Sequence, residues 1–108
     1  MKHKYRAKPT TVNGRRYGSK LEAAYSQKLE WAKKSGDLLF YFEQVPIRLP
    51  GNTTYRLDFL EFWAPKEGEE AGEVVFTEVK GMDTPVGKIK IAQAEDLLGI
   101  KINVVRKV

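Results

Sequence analysis

A chain of 108 residues, 42% hydrophobic and 31% charged with a net charge of +5, is long enough for one domain with a small core, and its composition is that of a globular protein. With no cysteine and only His3 as an imidazole, disulfides and thiolate metal sites are excluded and zinc is a poor fit, so any metal must be held by oxygen. No apolar stretch approaches the roughly 20 residues that cross a bilayer, and Met1-Lys2-His3-Lys4-Tyr5 leads into no secretion-signal segment, so the cytoplasm is the expected location.

The charge is uneven along the chain. Residues 1–20 contain Lys2, Lys4, Arg6, Lys8, Arg15, Arg16 and Lys20 and no acid, giving +7, which leaves −2 for residues 21–108. Interleaved with Tyr5 and Tyr17 and turned at Asn13-Gly14, residues 1–18 read as a basic arm that tracks phosphates, or as a solvated, partly disordered terminus. A single domain over 19–108 follows. Its first element is announced by the capping box Ser19-Lys20-Leu21-Glu22 and stopped at Ser35-Gly36, and Leu21, Tyr25, Leu29 and Ala32 form one helical stripe with Ala24 and Trp31 at its margins.

Leu38 to Leu49 is rich in aromatic and branched residues and reads as a strand, with Pro46 marking a bulge or an edge; Pro50-Gly51-Asn52 is the turn. A second strand from about Thr54 to Trp63 pairs with it as an antiparallel hairpin. Ala64 to Gly72 is a surface loop, and a third strand runs from Glu73 to Lys80. Thr84-Pro85 opens a second helix that closes at Gly99, and Ile100 to Val105 is the last strand. The order helix, three strands, helix, strand predicts an α/β or α+β fold, a central mixed sheet flanked by helices.

Charges placed inside these strands carry the chemistry. Asp58 sits within Leu57-Asp58-Phe59-Leu60, and straight alternation puts it on a face with Leu60 and Phe62 while Leu57 and Phe59 take the other; two apolar faces make this strand central. Glu78 and Lys80, two apart, project on the side of Val74 and Phe76, with Val79 opposite. Desolvating a carboxylate costs several kcal/mol unless something compensates it, so the alternatives are a pair of structural ion pairs or a bound cation. If the strands are neighbours, Asp58 and Glu78 converge, and a divalent ion relieves their repulsion. Mg2+ or Mn2+ suits carboxylates, backbone carbonyls and water. Glu22, next to the buried stripe, either completes such a site or only caps its helix. Gln44 is an amide in an apolar strand that either contacts a phosphate or a metal-bound water, or faces solvent at an edge.

Helix with Glu22, then Asp58, then Glu78-Val79-Lys80 resembles the PD-(D/E)XK nuclease superfamily, whose core of helix, three strands, helix and strand matches the predicted order over nearly the whole chain. The small size, basic start and Glu78-Val79-Lys80-Gly81 followed by Thr84-Pro85 and a lysine-bearing helix are similar to archaeal-type Holliday junction resolvases and small phage-encoded endonucleases. The resemblance implies that Asp58, Glu78 and the Val79 carbonyl bind metal with Glu22 as the helix-borne acid, and that Lys80 is the catalytic lysine. It implies Mg2+ as cofactor, with Mn2+ able to substitute, a homodimer, and neither membrane nor small-molecule cofactor. Its DNA partner would be a four-way junction, held by the arm and Lys20 with Gln44, Lys88 and Lys90, while Lys101 extends the basic surface. A restriction-like or repair nuclease, or a non-catalytic nucleic-acid-binding module, are the alternatives. One departure is Leu57, where many members have proline.

Overall fold

The computed structural model describes residues 10–12, 15–17 and 19–108. In the basic arm two short strands, β1 (Thr10–Val12) and β2 (Arg15–Tyr17), pair antiparallel, a hairpin that the arm's composition does not announce. The turn expected at Asn13-Gly14 and the bases Lys2, Lys4, Arg6 and Lys8 lie outside the described residues.

Helix α1 (Lys20–Ser35) starts where the sequence places its cap. Ser19 is extended, and its Oγ accepts the Glu22 amide at 3.1 Å, satisfying one of the amides a helix start leaves unpaired. The helix stops at Gly36, whose φ of 88° suits a residue without Cβ and lets its amide return to the Lys33 carbonyl. Strands β3 (Leu38–Leu49) and β4 (Thr53–Trp63) form the long hairpin, turned through Gly51 and Asn52 in the left-handed region. Strand β5 (Glu73–Val79) pairs antiparallel with β4, helix α2 (Pro85–Leu98) crosses over, and β6 (Ile102–Val105) pairs parallel with β5.

The resulting four-stranded sheet has the order β3-β4-β5-β6, mixed as expected, with β4 and β5 in its interior and Pro46 on the edge strand that its missing N–H demands. Helices cover opposite faces. Ala23, Tyr25 and Leu29 of α1 pack on Leu38 and Phe59, with Val79 and Val105 alongside. Ala94 of α2 packs on Leu49, Tyr55, Leu57 and Ile102, with Phe76 and Val104 alongside. Phe40, Phe42 and Phe62 stack on one another, with Phe40 and Phe62 centroids 4.5 Å apart, yet Phe40 and Phe42 stay about half exposed. Among the described residues no helix is long and apolar enough to cross a membrane.

Candidate active site

Apart from the register shift between Leu38 and Phe40, which puts Leu38 on the side of Tyr41, inside-outside alternation reverses at one level of the hairpin. In β3, Tyr41 packs with α1, whereas Val45, Ile47 and Leu49 pack with α2. In β4, Tyr55 and Leu57 pack with α2, but Phe59 and Trp63 pack with α1 and Leu60 joins the α2 side. Leu57 and Phe59 therefore do not share a face, contrary to straight alternation. Odd-numbered residues change sides only where the backbone takes an irregular step. In β3 that step is at Gln44, with φ of 53°. Glu43 pairs with Phe59 and Val45 with Leu57, and between them Gln44 and Asp58 drop out of the ladder. A left-handed conformation costs a residue carrying Cβ about 1 kcal/mol or more. It turns the Gln44 carbonyl toward Arg56 Nη1 at 3.4 Å, while Gln44 Nε2 donates to Asp58 Oδ1 at 3.2 Å.

On the other flank the β4–β5 ladder runs from Trp63 and Glu73 to Phe59 and Thr77, and opens at the next level, where Asp58 faces Glu78. The buried Asp58 carboxylate fills the opening, its Oδ2 accepting the Val79 amide at 2.8 Å in place of a ladder carbonyl. Glu78 is half-buried and its Oε1 accepts the Tyr55 hydroxyl at 2.7 Å. Burial, and after it the charge of Asp58, pushes the Glu78 carboxyl up to about 7, against the opposing pull of the Tyr55 hydrogen bond and the Lys80 ammonium. Burial and the same carboxylate drive the Tyr55 phenol well above its usual range, so it stays a donor at neutral pH. Two hard-oxygen groups this close need a proton or a cation between them, and the donor set fits Mg2+ or Mn2+.

β5 ends at Val79, one residue short of its expected end, and the Lys80 amide just beyond it still donates to the Val105 carbonyl of β6 at 2.8 Å. The Lys80 side chain then lies across the first turn of α2. A Cβ on Gly87 would overlap the Lys80 ammonium and come within 2.8 Å of the N-cap Thr84 Oγ1, which already accepts the Gly87 amide at 3.0 Å. Glycine at this position leaves room for the lysine.

The other expected residues divide. Glu22 is half-buried in the first turn of α1, its amide capped by Ser19. Among the described residues no group of three or more acidic or histidine side chains gathers to hold a metal, so Asp58 and Glu78 meet without Glu22 completing a carboxylate triad. Arg15 and Arg16 belong to β2. Lys20 and Lys101 are exposed, Lys88 is 3.9 Å from Asp83, and Lys90 reaches the Thr54 carbonyl at 3.5 Å. Tyr55 and Gly87 were not legible as site residues. Tyr55 alternates with Leu57 and reads as core, which it also is, and a helical glycine carries no sign of what lies over it.

Glu61 shows that an acid within an apolar run is not by itself a site. It is 1% exposed, with Oε2 accepting the Tyr25 hydroxyl at 2.7 Å and Oε1 accepting Trp63 Nε1 at 2.9 Å. Burial and then Glu61 hold the Tyr25 phenol above its usual range. A cleft of about 690 Å3 is lined at this end of β4 by Tyr25, Glu61, Trp63 and Glu73, and neither Asp58 nor Glu78 contributes to its wall. Glu61→Ala strands two buried donors and opens a cavity, so chemical denaturation should show a loss of about 3 kcal/mol. Glu61→Gln, which keeps an acceptor for one donor, should lose less; equal stability of Glu61→Ala and the parent chain would remove the network from the account of the fold.

No family model, no curated protein and no solved structure matches the chain.

Proposed function

We propose that this chain is a Mg2+-dependent endodeoxyribonuclease of the PD-(D/E)XK kind that cuts branched DNA, with the four-way junction as its substrate. The observation that supports the reading is the meeting of Asp58 and Glu78 on neighbouring interior strands at the point where their ladder opens, with Glu78 pushed up to about 7. Apposed carboxylates are costly to bury unless a proton or a cation lies between them, and a cation is what metal-assisted phosphodiester hydrolysis uses.

Asp58 and Glu78, with the Val79 carbonyl, hold the ion in this reading. When bound, the ion supplies Lewis acidity, easing deprotonation of an attacking water and offsetting charge on the scissile phosphate. Tyr55 fixes the Glu78 carboxylate by donating to Oε1. The Lys80 ammonium, resting on the first turn of α2, brings positive charge to the same side and stabilises the crowded phosphate as it gains negative charge. Exposed Lys20, Lys88 and Lys101, together with the arm, supply phosphate contacts, which makes binding steeply dependent on salt. Such an enzyme works where DNA and Mg2+ are, in the cytoplasm, that of a host cell if it is phage-encoded. A four-way junction has two-fold symmetry and is cut on two strands, so the reading calls for a homodimer. The exposed Phe40 and Phe42 of β3, packed beside half-buried Phe62 of β4, are apolar surface of the kind that such a contact uses.

A labelled synthetic four-way junction, incubated with and without Mg2+ beside matched duplex and flap DNA, tests the reading, and sedimentation of the complex counts the chains per junction. Paired nicks in the junction with Mg2+ and none in EDTA are expected, from two chains. Faster cutting of duplex or flap would reassign the substrate to that of a restriction-like or repair nuclease. Equal binding in EDTA with no nick in any DNA would leave a binding module.

A further inference from the structure

Three departures from regular β-structure coincide at one level of the sheet. Gln44 holds φ of 53° in mid-strand; the sides taken by alternate residues reverse there in both β3 and β4; and the Gln44 amide reaches Asp58 Oδ1 at 3.2 Å. Packing does not ask for this conformation, because Gln44 is exposed. The hairpin turn does not ask for it either, since Gly51 and Asn52 make that turn several residues further on. Nor does the residue type favour it, glycine and asparagine being the usual occupants of the left-handed region.

What the irregular step achieves is a two-sided grip. β4 lies between β3 and β5. The Gln44 amide from β3 takes Asp58 Oδ1, and the Val79 amide from β5 takes Oδ2 at 2.8 Å, so each carboxylate oxygen is tied to a different neighbouring strand. On a regular antiparallel ladder, opposite residues project side by side from the same face. Reach alone therefore does not need the step; an irregular step at one member of such a pair changes the angle at which the amide meets the carboxylate, so that it takes Oδ1 while the Val79 amide takes Oδ2.

From this geometry we propose that Gln44 is a positioning residue for Asp58: the strained step in β3 is retained because it brings the Gln44 amide onto the carboxylate. The proposal rests on the nuclease reading and deepens it. Gln44 acts through Asp58 and need touch neither ion nor phosphate.

The test uses the full chain and the variants Gln44→Met, Gln44→Ala and Gln44→Gly. Mn2+ binding is followed by electron paramagnetic resonance without DNA, and thermal unfolding is followed in EDTA. Gln44→Met keeps the length of the side chain and removes the donor, and it should bind Mn2+ on the order of 10- to 100-fold more weakly, as loss of a group orienting a ligand does. Gln44→Ala and Gln44→Gly both lack the amide and differ in tolerance of positive φ, so Gln44→Gly should melt several degrees above Gln44→Ala. Parental Mn2+ affinity in Gln44→Met, or coincident melting of the alanine and glycine variants, would overturn the proposal. A parent chain that takes up no Mn2+ and cuts no DNA would remove the nuclease reading and this role with it. A parent that binds and cuts, beside an unaltered Gln44→Met, would remove this role alone.

Discussion

Glu78→Gln is expected to slow cleavage by on the order of 10³-fold or more, about 4 kcal/mol of transition-state stabilisation, while the protein folds at least as well as its parent. Tyr55 can still donate to the carbonyl oxygen of the new amide, whose NH2 group faces Asp58, so a repulsive pair becomes a hydrogen-bonding one. Asp58→Asn should lose activity to a similar extent, and Lys80→Ala should lose it without altering uptake of Mn2+. Gly87→Ala reaches the same lysine indirectly, because its methyl group takes the space of the Lys80 ammonium. Its cleavage should fall at least about tenfold, and because the same methyl group comes within 2.8 Å of the capping Thr84 Oγ1, the gain in helix propensity is offset and stability should fall by about 1 kcal/mol. Single-turnover cleavage of a labelled junction, with DNA affinity measured in Ca2+, separates loss of chemistry from loss of binding. Parental rates in Glu78→Gln would take that carboxylate out of the site.

Stability without metal should fall as pH rises from about 4.5 to about 7. Glu78 has its folded value raised to about 7 from an ordinary 4.5, so between these values the native state binds more protons than the unfolded chain. Stability then declines with pH through that window and levels off above it, by on the order of 2 kcal/mol once solvent screening of a half-buried carboxylate is allowed for. Mg2+ or Mn2+ added above pH 7 should restore the loss, because a cation replaces the proton, and should do little at pH 4.5. Denaturant midpoints in EDTA across this range, for the parent and for Glu78→Gln, provide the measurement. The variant's profile should be flatter, and superimposable profiles would show that Glu78 is not the group responsible.

Much of this fold could be read from local signals. Ser19 and Gly36, and Thr84 and Gly99, bound the two helices because caps are local chemistry. The apolar character of both faces of Asp58's strand put it in the sheet interior, as observed. The convergence of Asp58 with Glu78 followed from the hairpin order and from placing the third strand beside the second. What escaped depends on contacts that residue type does not encode. Gln44 has no compositional mark of positive φ, so the reversal at its level was not legible, and across from it on β4 Leu57 and Phe59 were assigned one face when they occupy two. Asp58 and Glu61 are both acids flanked by apolar residues, and only their partners separate them: Tyr25 and Trp63 around one, Glu78 beside the other. The β1–β2 pairing is a different case: Asn13-Gly14 is a local turn signal between the two strands, and the basic residues on either side of it led the segment to be read as an arm and not as a hairpin.

Rigidity is not shared evenly across the centre. Asp58 and Glu78 sit on interior strands at the level where the pairing between those strands stops, and Asp58 is held instead by the Gln44 amide on one side and the Val79 amide on the other, so its carboxylate is fixed by both neighbouring strands. Lys80 begins beyond the end of its strand, tethered by one main-chain bond to Val105 and a resting place over Gly87. In the proposed nuclease such a centre would combine carboxylates fixed by the sheet with an ammonium on a longer tether, suited to following a phosphate whose shape changes as its bond breaks.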